Sequence, residues 1–162
     1  MEVDVPIYMK FGSIPGDVTT DGYKNWIELN SFQFGVSRGV SSGAGGGSRE
    51  SSAPSISEIV VTKYFDAASP KLYQDSVAGT FDTKVEIKMN TTTKNKTETF
   101  LTYELTDCGV SSYSQSSGGD APVESLSLNF IKVMVTPTPL DKSGQIKKGD
   151  VVTYDLLEMK AS

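Results

Sequence analysis

Apolar and polar residues alternate along most of this chain with the period of two that marks half-buried strands. Val5 to Phe11 reads as a first strand, with Pro6 placing its start or an exposed edge. Pro15-Gly16-Asp17 through Asp21-Gly22 is turn chemistry. Trp26 to Val36 predicts a strand pair or one long bent strand, with Trp26, the sole tryptophan, as a core anchor. Ile59 and Val61 alternate with Glu58, Val60 and Thr62. Val85, Ile87 and Met89 alternate with Lys84, Glu86 and Lys88, and Leu101, Tyr103 and Leu105 form the next face. Those two runs predict a long hairpin around a polar turn at Asn90 to Lys96. Val110 to Ser114 is a short strand, and Ser116 to Asp120 a loop. Glu124 to Val135 reads as the longest strand. Its apolar parity switches between Phe130 and Ile131, which requires a bulge near Phe130 or cover on both faces. Asp141 to Gly149 is a turn-rich loop, and Val151 to Met159 a final strand.

Two segments break the alternation. Ser69 is placed to cap a helix, with Pro70 at the first helical position, where its missing N–H costs nothing. Leu72, Tyr73, Ser76 and Val77 follow at helical spacing, so Leu72 and Val77 are expected against the core, and Gly79 closes the helix. The second segment, 37–55, is rich in Gly and Ser and nearly without apolar residues. It cannot support a core of its own. Its Gly43, Ala44, Gly45, Gly46 and Gly47 match neither a dinucleotide fingerprint nor a P-loop. An extended arm that orders on a neighbouring subunit is the expectation. Together these patterns predict a mainly β fold, a sandwich or small barrel with one substantial α-helix.

Composition narrows the chemistry. The 162 residues suggest a single domain spanning 1–162. The net charge of −5 disfavours a nucleic-acid groove, which needs a basic face. Lys84, Lys88, Lys94 and Lys96 are interleaved with Glu86 and Glu98, as on a solvated hairpin. There is no histidine, which removes the commonest general base and metal ligand. The single cysteine, Cys108, lies between Leu105 and Val110 and is expected as a small buried residue. Asp17 and Asp21 lack a calcium-loop pattern. Asp150, Asp155 and Glu158 read as solvated charge. No catalytic, cofactor or metal set is expected, so the chain is not expected to be an enzyme. The sequons at Asn90 and Asn95 are expected to be incidental. The opening residues lack the basic and apolar regions of a secretory signal, and no run reaches membrane-spanning length. The expectation is a protein made in the cytosol that leaves, if it does, by a route reading the folded chain.

Several segments resemble one family in order. Thr62-Lys63, Asp66 and Ser69-Pro70-x-Leu72 look like the signature of the Hcp (haemolysin-coregulated) proteins of bacterial type VI secretion. Asp4 to Gly12 with Gly16-Asp17 resembles the family's first strand and turn. Trp26 to Leu29 with Phe32 to Gly35 resembles its second, and Val110 to Tyr113 with Glu124 to Phe130 completes the match. The resemblance implies a two-sheet β-barrel or sandwich with one flanking α-helix. It further implies hexameric rings that stack into a tube, carry effectors in the lumen, and work with a spike and a contractile sheath. In that setting Gly43 to Gly47 are candidates for inter-ring contact, and Gln33 is the candidate lumen residue. The function so implied is mechanical, with secretion through the type VI apparatus and no membrane insertion. A monomeric β-sandwich binding a small ligand or glycan is the second reading, and a hydrolytic effector the third.

Overall fold

The computed structural model describes residues 5–41, 50–93, 96–138, 151–157 and 160–161. The arm tip Gly43 to Gly47, the second sequon at Asn95, the 141–149 loop, Asp150 and Glu158 lie outside the described residues.

Along the chain the strands are β1 (Ile7–Phe11), β2 (Ile27–Leu29), β3 (Ser31–Gln33), β4 (Val36–Ser37), β5 (Val40–Ser41), β6 (Glu50–Ser51), β7 (Ser55–Ile56) and β8 (Ile59–Tyr64). The helix α1 (Ser69–Ala78) follows, then β9 (Thr83–Thr93), β10 (Lys96–Ser116), β11 (Val123–Asn129), β12 (Lys132–Pro137), β13 (Val152–Asp155) and β14 (Lys160–Ala161). All pairings are antiparallel.

Two sheets share β10. Its first part lies between β9 and β12, in the order β2-β1-β9-β10-β12-β13-β14. Its second part pairs β11, continuing through β8 to β3. The register shifts between Leu105 and Cys108, and Asp107 takes φ 50°, so β10 turns the corner without leaving the ladder. On the opposite side, only Asn30 separates β2, the edge of the first sheet, from β3, the edge of the second. Its N–H donates to the Thr62 carbonyl on β8 at 2.7 Å. The sheets are thus joined at both sides, which makes the molecule barrel-like.

Inward positions follow the expected alternation. Met9 and Phe11, Ile27 and Leu29, Ile59 and Val61, Val85 and Ile87, and Leu126 and Leu128 fill the core. Cys108 lies buried among them, as anticipated.

Several local expectations change. The 124–135 run is two strands, because the chain turns at Phe130 and Ile131 from one sheet to the other. Its parity switch is the signature of that change. The runs at Leu101 and Val110 belong to one continuous β10. The supposed turn from Asn90 is strand as far as Thr93, and Asn90 is buried, accepting from the hydroxyls of Tyr23 and Thr99. A buried Asn90 cannot act as a glycosylation acceptor. Trp26 is half-buried, edge-on to Tyr23 and under the Lys88 ammonium, which lies 5.5 Å from its ring. The helix packs Leu72 inward, but Val77 is 71 % exposed. Gly79 ends the helix at φ 64°, the left-handed turn that favours glycine.

Candidate assembly surfaces

The segment from Thr62 to Leu72 builds a buried ion-pair network rather than a helix cap. Along β8 the inward positions are Ile59, Val61 and Lys63. A lysine in the third inward position has no water, so its charge must be met inside the protein. Glu124, the first inward residue of β11, is registered directly opposite. The Lys63 ammonium reaches its Oε1 at 2.6 Å, and both side chains are wholly buried. The same ammonium pairs with Asp66 at 2.9 Å and donates to the Tyr64 carbonyl and to Ser69 Oγ. Ser69 Oγ donates in turn to Glu124 Oε1, and the Tyr113 hydroxyl to Oε2.

Ser69 is therefore not the helix cap. The capping position is Ala68, no side chain caps the first turn, and Ser69 is itself the first helical residue. Its hydroxyl accepts from Asp66 N–H at 3.0 Å, while Asp66 Oδ1 accepts from Ala68 N–H at 2.9 Å. Pro70 is accordingly the second helical residue rather than the first, still within the turn where its missing N–H costs nothing. The network ties the start of α1 to both β8 and β11. Sequence reasoning saw Lys63 only as part of a signature. The signal that could have found its role was present: Lys63 and Glu124 each fall on the apolar parity of their strands.

The second surface is the arm. Residues 36–41 and 50–56 form a narrow ribbon, β4 on β7 and β5 on β6. Two glycine–serine pairs act as joints. Gly35 N–H donates to Ser57 Oγ at 2.9 Å, and Gly39 N–H to Ser52 Oγ at 3.0 Å. Val36, Arg38 and Val40 are exposed on it. A cleft of about 260 Å³ opens at the arm base, lined by Phe34, Val36, Ile56, Val133, Val135 and Val152 among others.

Gln33 lies on β3 and is exposed, while Phe32 and Phe34 are half-buried against Tyr103, with ring centroids 4.7 and 5.5 Å away. The structure thus places Gln33 on the face opposite its aromatic neighbours, at the end of β3 and three residues before β4 begins the arm. At the far end of β8, Tyr64 and Phe65 are exposed beside a cleft of about 200 Å³ that Asp17, Glu28 and Asp66 also line.

Among the described residues no group of three or more acidic or cysteine side chains is arranged to hold a metal ion. Burial, with a smaller push from the Asp75 carboxylate, raises the Cys108 thiol to about 12. That thiol is protonated and inert at neutral pH. Among the described residues no helix is long and apolar enough to cross a membrane.

The family model described as "Type VI secretion system effector, Hcp" matches residues 8–136. The chain belongs to the Hcp family. No curated protein matches it in sequence. Solved structures share its fold. A type six secretion system protein shares 27 % identity at a TM-score of 0.90, over 98 % of this chain and all of that one. Hcp1 from Salmonella typhimurium shares 24 % identity at 0.77, over 98 % and 99 %. Hcp3 of Pseudomonas aeruginosa, a secreted protein, shares 20 % at 0.63, over 91 % and 98 %. The last two show a common fold. The cap that terminates the tube of an anti-feeding prophage has the fold too, at 10 % identity and 0.56. The Hcp-type barrel with its flanking helix is therefore the architecture of this chain.

Proposed function

We propose that this chain is a structural subunit of the type VI secretion tube, with residues 1–162 acting as one domain. Copies close into a hexameric ring by repeating one heterologous contact, and rings stack through the arm. Effectors travel in the lumen, where Gln33 points, and the tube engages a spike at its tip and a sheath around it. The protein is made in the cytosol and leaves through the apparatus it builds. It carries out no reaction.

The family match over residues 8–136 carries this reading. The architecture supports it. A ribbon that leaves Val36 and Val40 in water has surface to bury on a neighbour. The ion-pair network makes α1 one body with the second sheet, which suits a part that bears load. The test is deletion of Gly43 to Gly47. Ring mass should persist, while stacking and secretion fall. Loss of the folded protein on deletion would make the arm a part of the fold and remove the stacking role.

A further inference from the structure

The two ends of β8 carry different apolar surfaces. At its C-terminal end Tyr64 and Phe65 are each 56 % exposed. Phe65 divides two clefts: the acidic one of about 200 Å³, and one of about 300 Å³ that Tyr73 and Tyr113 also line. Rings this exposed on a folded domain mark a contact surface. The charge beside them is unbalanced. Lys63 pairs with Asp66 and Glu124, so its single ammonium faces two carboxylates, and Asp17 and Glu28 add two more.

The arm presents the complement. Arg38 is exposed on the ribbon between Val36 and Val40, which are 57 % and 59 % exposed. A guanidinium is weakly hydrated, stacks on aromatic rings and pairs with carboxylates. Ile56 at the arm base and Phe65 at the clefts lie nine positions apart along mostly extended chain, about 30 Å at the usual rise. Within one chain the arm and the aromatic end of β8 therefore lie apart.

We propose that the Tyr64–Phe65 surface is the docking site for the arm of a second copy, with Arg38 entering the cleft between Glu28 and Phe65 and the two valines covering the rings. This rests on the self-assembling reading above and specifies the receptor for the arm. It makes the stacking contact heterologous: arm on one side, aromatic cleft on the other.

Charge reversal tests it. Arg38→Glu and Glu28→Arg are both at exposed positions, and circular dichroism identifies folded samples. Species larger than one ring are followed by sedimentation velocity across a concentration series. Each single reversal should raise the concentration needed for those species by roughly tenfold or more, and the double reversal should recover it. As an independent probe of the rings, Tyr64→Ser should weaken assembly without changing ring mass. Reversals that assemble like the wild type, or a double variant no better than the singles, overturn the proposal and leave the tube reading standing. A wild-type chain that stays monomeric overturns the tube reading and this proposal with it.

Discussion

Replacing Lys63 by Met probes the part of the molecule that ties helix to barrel. Methionine keeps the length of the side chain and removes its charge. The wholly buried Glu124 carboxylate then loses its 2.6 Å ion pair and keeps only the hydroxyls of Ser69 and Tyr113. Asp66 loses its 2.9 Å partner, but it borders a cleft and can turn to water. Breaking a buried pair from one side costs about 3–5 kcal/mol, because an unpaired charge stays in the core. For a chain of this size that loss lowers the melting temperature by roughly 6–20 °C. Replacing both partners, Lys63→Met with Glu124→Leu, removes the charge altogether and should stay within about 2 kcal/mol of the wild type. The assay is urea unfolding at one fixed protein concentration, since assembly adds its own stabilisation. A Lys63→Met cost below about 1 kcal/mol, or single costs that simply add in the double variant, would refute the reasoning.

Other consequences are quicker to check. Leu72→Ala should cost about 2–5 kcal/mol because Leu72 is fully buried, whereas the exposed Val77→Ala should stay within about 0.5 kcal/mol; equal costs in urea unfolding would mean that α1 packs on another face. Cys108 should resist thiol reagents at pH 8 until the chain is unfolded, and rapid labelling of native protein would contradict its burial. Its thiol is raised from 9.0 to about 12, so above pH 9 the unfolded chain sheds a proton that the native chain keeps. Stability should then fall with rising pH, by up to about 1.4 kcal/mol per pH unit, and Cys108→Ala should flatten that slope; equal slopes for variant and wild type would place the thiol in solvent. Gln33→Arg should fold and assemble normally, since Gln33 is exposed, and alter cargo retention; a drop in melting temperature would put its side chain inside the barrel.

Much of this fold was legible in the sequence because strand parity reports burial directly. The pairs Val85/Ile87 and Leu126/Leu128 alternate as the core requires, and Gly79 marks the helix end. What could not be read depends on contacts distant in the chain. Thr106 and Asp107 are polar and look like a break, yet the ladder continues past them because β10 turns its corner with a bulge and a positive φ. The same corner principle splits the 124–135 run, where a change of parity records a change of sheet. Asn90 looked like turn material because its partners, Tyr23 and Thr99, come from other elements. Ser69 satisfied every local rule for a cap, but a buried lysine and glutamate claim its hydroxyl. Local propensity had no means of weighing that competition. The arm was legible as a separate material. Its ribbon pairing was hidden, because two-residue strands rich in serine leave no alternation to read.

The central claim is that this chain exists to assemble with copies of itself. Native mass spectrometry of the purified protein at micromolar concentration tests it most directly. The account predicts a hexamer of the 17.4 kDa chain that persists on dilution, with larger species as concentration rises. A single 17.4 kDa species across the whole range would contradict it.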